Sequence, residues 1–102
     1  MGELGRACPV ARTAELVGGK WTLLILRDLC AGARRFSELQ RSLEGISPKT
    51  LAERLRFLER HGVVRRVPRR EVPGHVAYSL TPQGEGLQPV IDSLRVYGEH
   101  WL

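Results

Sequence analysis

Cys8, Cys30, His61, His75 and His100 are the side chains of this 102-residue sequence best suited to nucleophilic or metal-binding chemistry. An enzyme would need a nucleophile, a base and an orienting group together, or a cluster of metal ligands. The three histidines fall at a helix end, in a hairpin and at the C-terminus, and share no ligand spacing with each other or with the cysteines. The expectation is a protein that is not an enzyme, with no metal and no cofactor. Cations offer a different chemistry. Fourteen of the sixteen Lys and Arg are arginine, whose planar fork fits phosphates and guanine edges. They are not evenly spread. Residues 34–70 hold eleven cations (Arg34, Arg35, Arg41, Lys49, Arg54, Arg56, Arg60, Arg65, Arg66, Arg69, Arg70) against four acids, a segment charge of +7 within a net +5. Arginines on helix faces are often only solvated surface, but clustering in the central third favours a polyanion as partner.

The elements that must position these cations follow from periodicity. "ISPKTLAERLRFLERHG" (residues 46–62) opens a helix with a Ser47 cap and Pro48 at its first position, and Gly62 stops it. Leu51, Leu55 and Leu58 form one apolar stripe. Lys49, Glu53, Arg56 and Arg60 face the other way, with Thr50, Arg54 and Phe57 beside them. Before it, Pro9–Val17 reads as a short helix with Cys8 at its N-cap. Lys20–Cys30 is apolar nearly all round and reads as the central buried helix. "FSELQRSL" begins a third helix, with Ser37 and Gln40 in capping-box spacing and Phe36, Leu39 and Leu43 facing inward. After Gly62 the period falls to two. "VVRRV" and "VAYSL" predict a two-stranded hairpin joined by "PRREVPGH", with Val76, Tyr78 and Leu80 on the buried face. Thr81-Pro82 starts a last helix that Pro89 should kink or split, with Leu87, Val90, Ile91, Leu94 and Trp101 along one face.

Helix, turn, helix and basic-tipped ribbon is the order of a winged helix-turn-helix, a mainly α (α+β) fold, expected to occupy residues 1–102 as one domain. The leucine stripe would pack on Trp21 and Leu24–Leu29, and the cationic face would enter the major groove of double-stranded DNA. Apolar faces on Val10–Val17 and Leu87–Trp101 exceed what one small core can bury, which predicts a homodimer through the terminal helices. No apolar run approaches a membrane span, "MGELGRACPV" lacks the apolar core of a secretory signal, and two cysteines are too few for a disulfide scaffold. A cytoplasmic protein is expected.

The stretches "CPV", "GGKWTLLIL", "FSEL", "GISPKTLAERLRFLERHGVV", "YSLTPQG" and "LRVYGEHW", in that order over residues 8–101, resemble the HxlR-type winged helix-turn-helix transcriptional regulators, which have a MarR-like winged helix. The resemblance implies a homodimer, built on the first and last helices, that binds a palindromic operator and regulates transcription, a repressor being the expected sense. The region after "RRV" varies among such proteins.

Residue roles follow. Ser47, Lys49 and Thr50 lie on the first turn of the recognition helix, Ser47 and Thr50 with capping as the alternative. Arg56 is the preferred contact further along. Arg54 lies nearer the buried edge, where pairing with an acid is the alternative. Glu53 could accept from a cytosine amine or pair within the helix with Arg56 or Arg60. Arg34, Arg35, Arg69 and Arg70 complete the expected DNA-binding set, the last two at the wing tip. Cys8, at a helix start near Arg6 and Arg12, should carry some thiolate character. The resemblance implies that some members sense oxidants or electrophiles at this cysteine, so an oxidant or small-molecule effector is expected if Cys8 is a switch. Otherwise it is a half-buried cap. Cys30 reads as an inert small hydrophobe. A winged module that binds proteins instead of DNA is the competing class, and it would present a neutral recognition face.

Overall fold

The computed structural model describes residues 8–68 and 75–102. In chain order the elements are α1 (Pro9–Val17), α2 (Lys20–Cys30), β1 (Arg34–Arg35), α3 (Phe36–Ser42), α4 (Pro48–Arg60), β2 (Val64–Pro68), β3 (Val76–Leu80), α5 (Pro82–Glu85) and α6 (Gln88–Trp101). The helices begin where the local chemistry dictates. Pro48 and Pro82 occupy first-turn positions where a missing N–H costs nothing, and Ser47 and Thr81 cap the backbone ahead of them. Pro89 does split the last helix. α5 is a single capped turn, and α6 restarts with Pro89 in its own first turn.

One core joins the elements. Ile25, Leu26 and Leu29 of α2 meet Leu39 of α3, Leu43 and Ile46 of the turn, and Leu51, Leu55 and Leu58 of α4. Val63, Val64 and Leu80 close it from the wing, and Ile91 alone enters from α6. α2 is less enclosed than expected: Trp21, Leu23 and Leu24 are only half-buried, Leu23 and Leu24 lying beside Ile91 and Leu94 of α6 in a partly open groove. Lys20 Nζ lies 4.7 Å from the centre of the Trp21 ring. Thr81 ties wing to helix: its hydroxyl donates to the Gly62 carbonyl and accepts from the Gly84 amide at 3.0 Å. Gly62 takes φ +77°, the left-handed turn by which α4 ends.

Four local expectations need correcting. α3 takes Arg35, not Ser37, as its N-cap, so Ser37 and Gln40 form no capping box. Glu38 does that work, its carboxylate accepting from the Arg35 amide at 2.7 Å. The sheet has three strands rather than two, in the order β1-β3-β2 and antiparallel throughout. Arg34 and Arg35 pair with Tyr78 and Ala77, and β2 pairs with β3 from Val64–Leu80 to Pro68–Val76. With neighbours on both sides, β3 departs from simple alternation: Ala77 and Leu80 are buried, whereas Val76 and Tyr78 are half-buried. Finally, of the five residues expected along one face of the last helix, only Ile91 is buried within the chain. Leu94 is 49% exposed and Trp101 68%.

Candidate nucleic-acid interface

α4 owes its orientation to the three buried leucines, which leave one side of the helix to solvent. Lys49, Glu53, Arg56 and Arg60 are all exposed there. At its first turn the Ser47 hydroxyl oxygen accepts from the Thr50 amide at 3.0 Å, and the hydroxyl donates to Thr50 Oγ1, also at 3.0 Å. Ser47 is therefore a cap. Its hydroxyl proton is committed, whereas the Thr50 hydroxyl accepts and keeps its own proton to donate. Pro48 has no N–H and the Thr50 and Leu51 amides both donate to Ser47, so the Lys49 amide and the positive end of the helix dipole are what this turn offers an anion.

Neither alternative for the acids and arginines of α4 is realised. Arg54 lies beside the leucine stripe by helical position, between Leu51 and Leu58 on its flank, yet its side chain is exposed. It makes no ion pair among the described residues. Glu53 pairs with neither Arg56 nor Arg60 among them. At the far end, His61 packs its ring on Phe57, centroids 4.3 Å apart, with Nδ1 2.9 Å from the Phe57 carbonyl.

The other expected cations divide. Arg34 and Arg35 lie on β1, a strand too short to show periodicity in the sequence. Arg34 donates to the Ala33 carbonyl at 2.9 Å, and Arg35 Nε stands 3.8 Å from the Glu38 carboxylate. Arg69, Arg70 and the Arg6 neighbour of Cys8 fall outside the described residues. Arg65 and Arg66, counted in the basic segment but given no role, are exposed on β2. Strand alternation in "VRRVP" was the available signal. It is weak, because two adjacent arginines sit on opposite faces.

Cys8 and Cys30 lie on other elements. Both thiols are free and half-buried, and Cys8 sits at the α1 N-cap without making a side-chain capping bond. Burial pushes the Cys30 thiol up, Asp92 adds to the shift, and Arg95 opposes it. Among the described residues no three His, Cys, Asp or Glu side chains are grouped to hold a metal, and no helix is long and apolar enough to cross a membrane.

Comparison with known proteins agrees with this geometry. Residues 16–102 match the HxlR-like helix-turn-helix family. An uncharacterized HTH-type transcriptional regulator from Synechocystis sp. is 43% identical over 100 residues, 98% of this chain and 74% of that protein. The redox regulator HypR in its reduced form superposes with TM-score 0.85 at 35% identity, covering 91% of this chain and 92% of that one. Diamide-treated YodB from Bacillus subtilis superposes with TM-score 0.71 at 36% identity, covering 92% and 94%.

Proposed function

Because the chain belongs to the HxlR-like helix-turn-helix family, whose members are DNA-binding transcriptional regulators and not enzymes, we propose that it represses transcription as a homodimer on a two-fold-related operator. The observation that carries this reading is α4: a capped helix whose leucines are buried and whose cations face outward, with no ion pair among the described residues. Lys49, Thr50 and Arg56 contact the major groove, with Glu53 and Arg54 at the margins of the contact and Ser47 holding the first turn. Arg34, Arg35, Arg69 and Arg70 hold backbone phosphates. The two α4 helices of a dimer read half-sites roughly 34–36 Å apart.

The homodimer is supported by the apolar surface of the terminal helices. α1 buries none of its residues and exposes Val10, while α6 exposes Val90, Leu94, Val96, Tyr97 and Trp101. Cys8 makes the dimer responsive to oxidants, a role supported by its place at the start of α1 and by the likeness to a redox regulator. A two-electron oxidant joins the Cys8 thiol to another thiol, taking both protons and both electrons. The disulfide then resets the spacing of the recognition helices.

Selection of bound fragments from genomic DNA, followed by titration, tests the reading. Lys49→Ala or Arg56→Ala should weaken specific binding by about 1–3 kcal/mol if the residue reads a base. A double variant that binds as tightly as the wild type would move the site elsewhere. Absence of salt-dependent binding to any duplex would favour a protein-binding module. For the switch, operator affinity is compared before and after diamide in wild type, Cys8→Ser and Cys30→Ser. A Cys8→Ser protein that still responds would reduce Cys8 to a helix start.

A further inference from the structure

The three-stranded sheet brings together side chains that are far apart in sequence. Tyr78 on the central strand lies directly opposite Arg34 on one side and Arg66 on the other. Directly paired residues project from the same face of a sheet. Arg34, Tyr78 and Arg66 therefore form one row, spanning about 9.5 Å from outer strand to outer strand. Arg35 belongs to the opposite face, in the row with Ala77 and Val67, and there Glu38 faces its guanidinium.

The two rows differ in how their charge is met. Neither Arg34 nor Arg66 has an ion pair among the described residues, and the pairs beside them on the same face are the apolar Val64–Leu80 and Pro68–Val76. Arg34 and Arg66 are cross-strand partners of Tyr78 and not of each other, so at this separation in solvent they repel only weakly and the row can stay cationic until an anion lies against it. Tyr78 contributes a donor. Its ring is half-buried against the core, and its hydroxyl makes no hydrogen bond among the described residues. The one buried side-chain polar atom without a partner among them is Asp28 Oδ2, so Tyr78 Oη reaches solvent. The row thus holds two cationic forks around a neutral hydroxyl donor, at the base of the wing and one short turn beyond the end of α4.

We propose that Arg34, Tyr78 and Arg66 form a phosphate clamp that grips the DNA backbone beside the groove occupied by α4. The inference rests on the DNA-binding reading above. The guanidiniums take phosphate oxygens, and the tyrosine hydroxyl donates a third hydrogen bond. This contact carries no sequence information. It fixes how far the wing stands from the duplex, and so the angle at which α4 enters.

The test measures binding of the full chain to a mixed-sequence duplex and to a selected operator fragment over a series of potassium chloride concentrations. Arg34→Ala and Arg66→Ala should each shallow the slope of log affinity against log salt by about 0.9, equally on both duplexes. Arg66→Lys should keep the slope. Tyr78→Phe should weaken both complexes about fivefold and leave the slope unchanged, as expected for one neutral hydrogen bond. Thermal melts check that the strands remain intact, and Tyr78→Phe and Arg66→Lys preserve the packing even if Arg34→Ala loosens β1. Wild-type slopes in both arginine variants, together with unchanged affinity in Tyr78→Phe, would overturn the clamp while leaving the recognition helix untouched. If the wild type bound neither duplex, the DNA-binding reading would fall and the clamp with it.

Discussion

α4 and α6 are helices of 13 and 14 residues, each with an apolar side and a polar side. In α4 the apolar stripe is used inside the chain: Leu51, Leu55 and Leu58 are buried, Phe57 is half-buried, and the exposed side carries Lys49, Glu53, Arg54, Arg56 and Arg60. In α6 only Ile91 is buried, and the exposed surface includes Val90, Leu94, Val96, Tyr97 and Trp101. Similar amphipathic patterns therefore have opposite outcomes. A helix with a partner in its own chain displays its polar face, whereas one without displays apolar surface that favours association. The difference separates a face suited to a polyanion from one suited to another apolar surface.

The largest expected effect sharpens that contrast. Leu55→Ala should destabilise the fold by about 2–5 kcal/mol, read from the urea unfolding midpoint, because it leaves a cavity in the shared core. Leu94→Ala should shift the midpoint far less when measured at concentrations low enough to keep chains apart. Similar losses at both positions would erase the distinction between the helices.

Association gives the reverse ordering. Trp101→Ala or Tyr97→Ala should weaken the proposed dimer by about 2 kcal/mol, roughly thirtyfold, in sedimentation equilibrium, since large aromatics dominate such contacts. Neither should lower the stability of the separated chain by a comparable amount. Monomeric wild-type protein at tens of micromolar would break this half of the comparison.

At the start of α4, Ser47→Ala should cost about 1 kcal/mol of thermal stability through loss of the bond to the Thr50 amide, with Ser47→Gly costing only a few tenths. If instead the alanine variant melts as wild type but loses operator affinity, Ser47 acts on DNA more than on the helix.

The smallest effect concerns Cys30, half-buried in α2 with Asp92 and Arg95 of α6 acting on its charge. Its thiol is pushed up by burial and by Asp92, so alkylation by iodoacetamide in mildly alkaline buffer should run slower than that of free cysteine. The sign for stability follows. A folded-state value above the unfolded one stabilises the fold at low pH, and this contribution is lost as pH rises through the thiol range. Stability should therefore decline slightly there in wild type and not in Cys30→Ala, measured by unfolding midpoints.

Much of this molecule was legible from local rules. The bounds of α1, α2 and α4 follow from proline at the first turn, capping hydroxyls and glycine stops, and the leucine stripe of α4 is a matter of helical period alone. These signals act between residues a few positions apart, so no knowledge of the fold is needed to read them. The split at Pro89 is of the same kind, since proline removes a donor wherever it stands. Two adjacent arginines before "FSEL" carry no strand period, and only pairing with Tyr78, more than forty residues later, makes β1 a strand. The same pairing gives β3 neighbours on both sides and disturbs its alternation. It also sets Arg34 and Arg66 on one face and turns Arg35 to the other, beside Glu38. Composition determined that the central third is cationic. Which of those cations are matched by acids and which stand open was decided by strand register, because register, not sequence distance, sets which side chains meet.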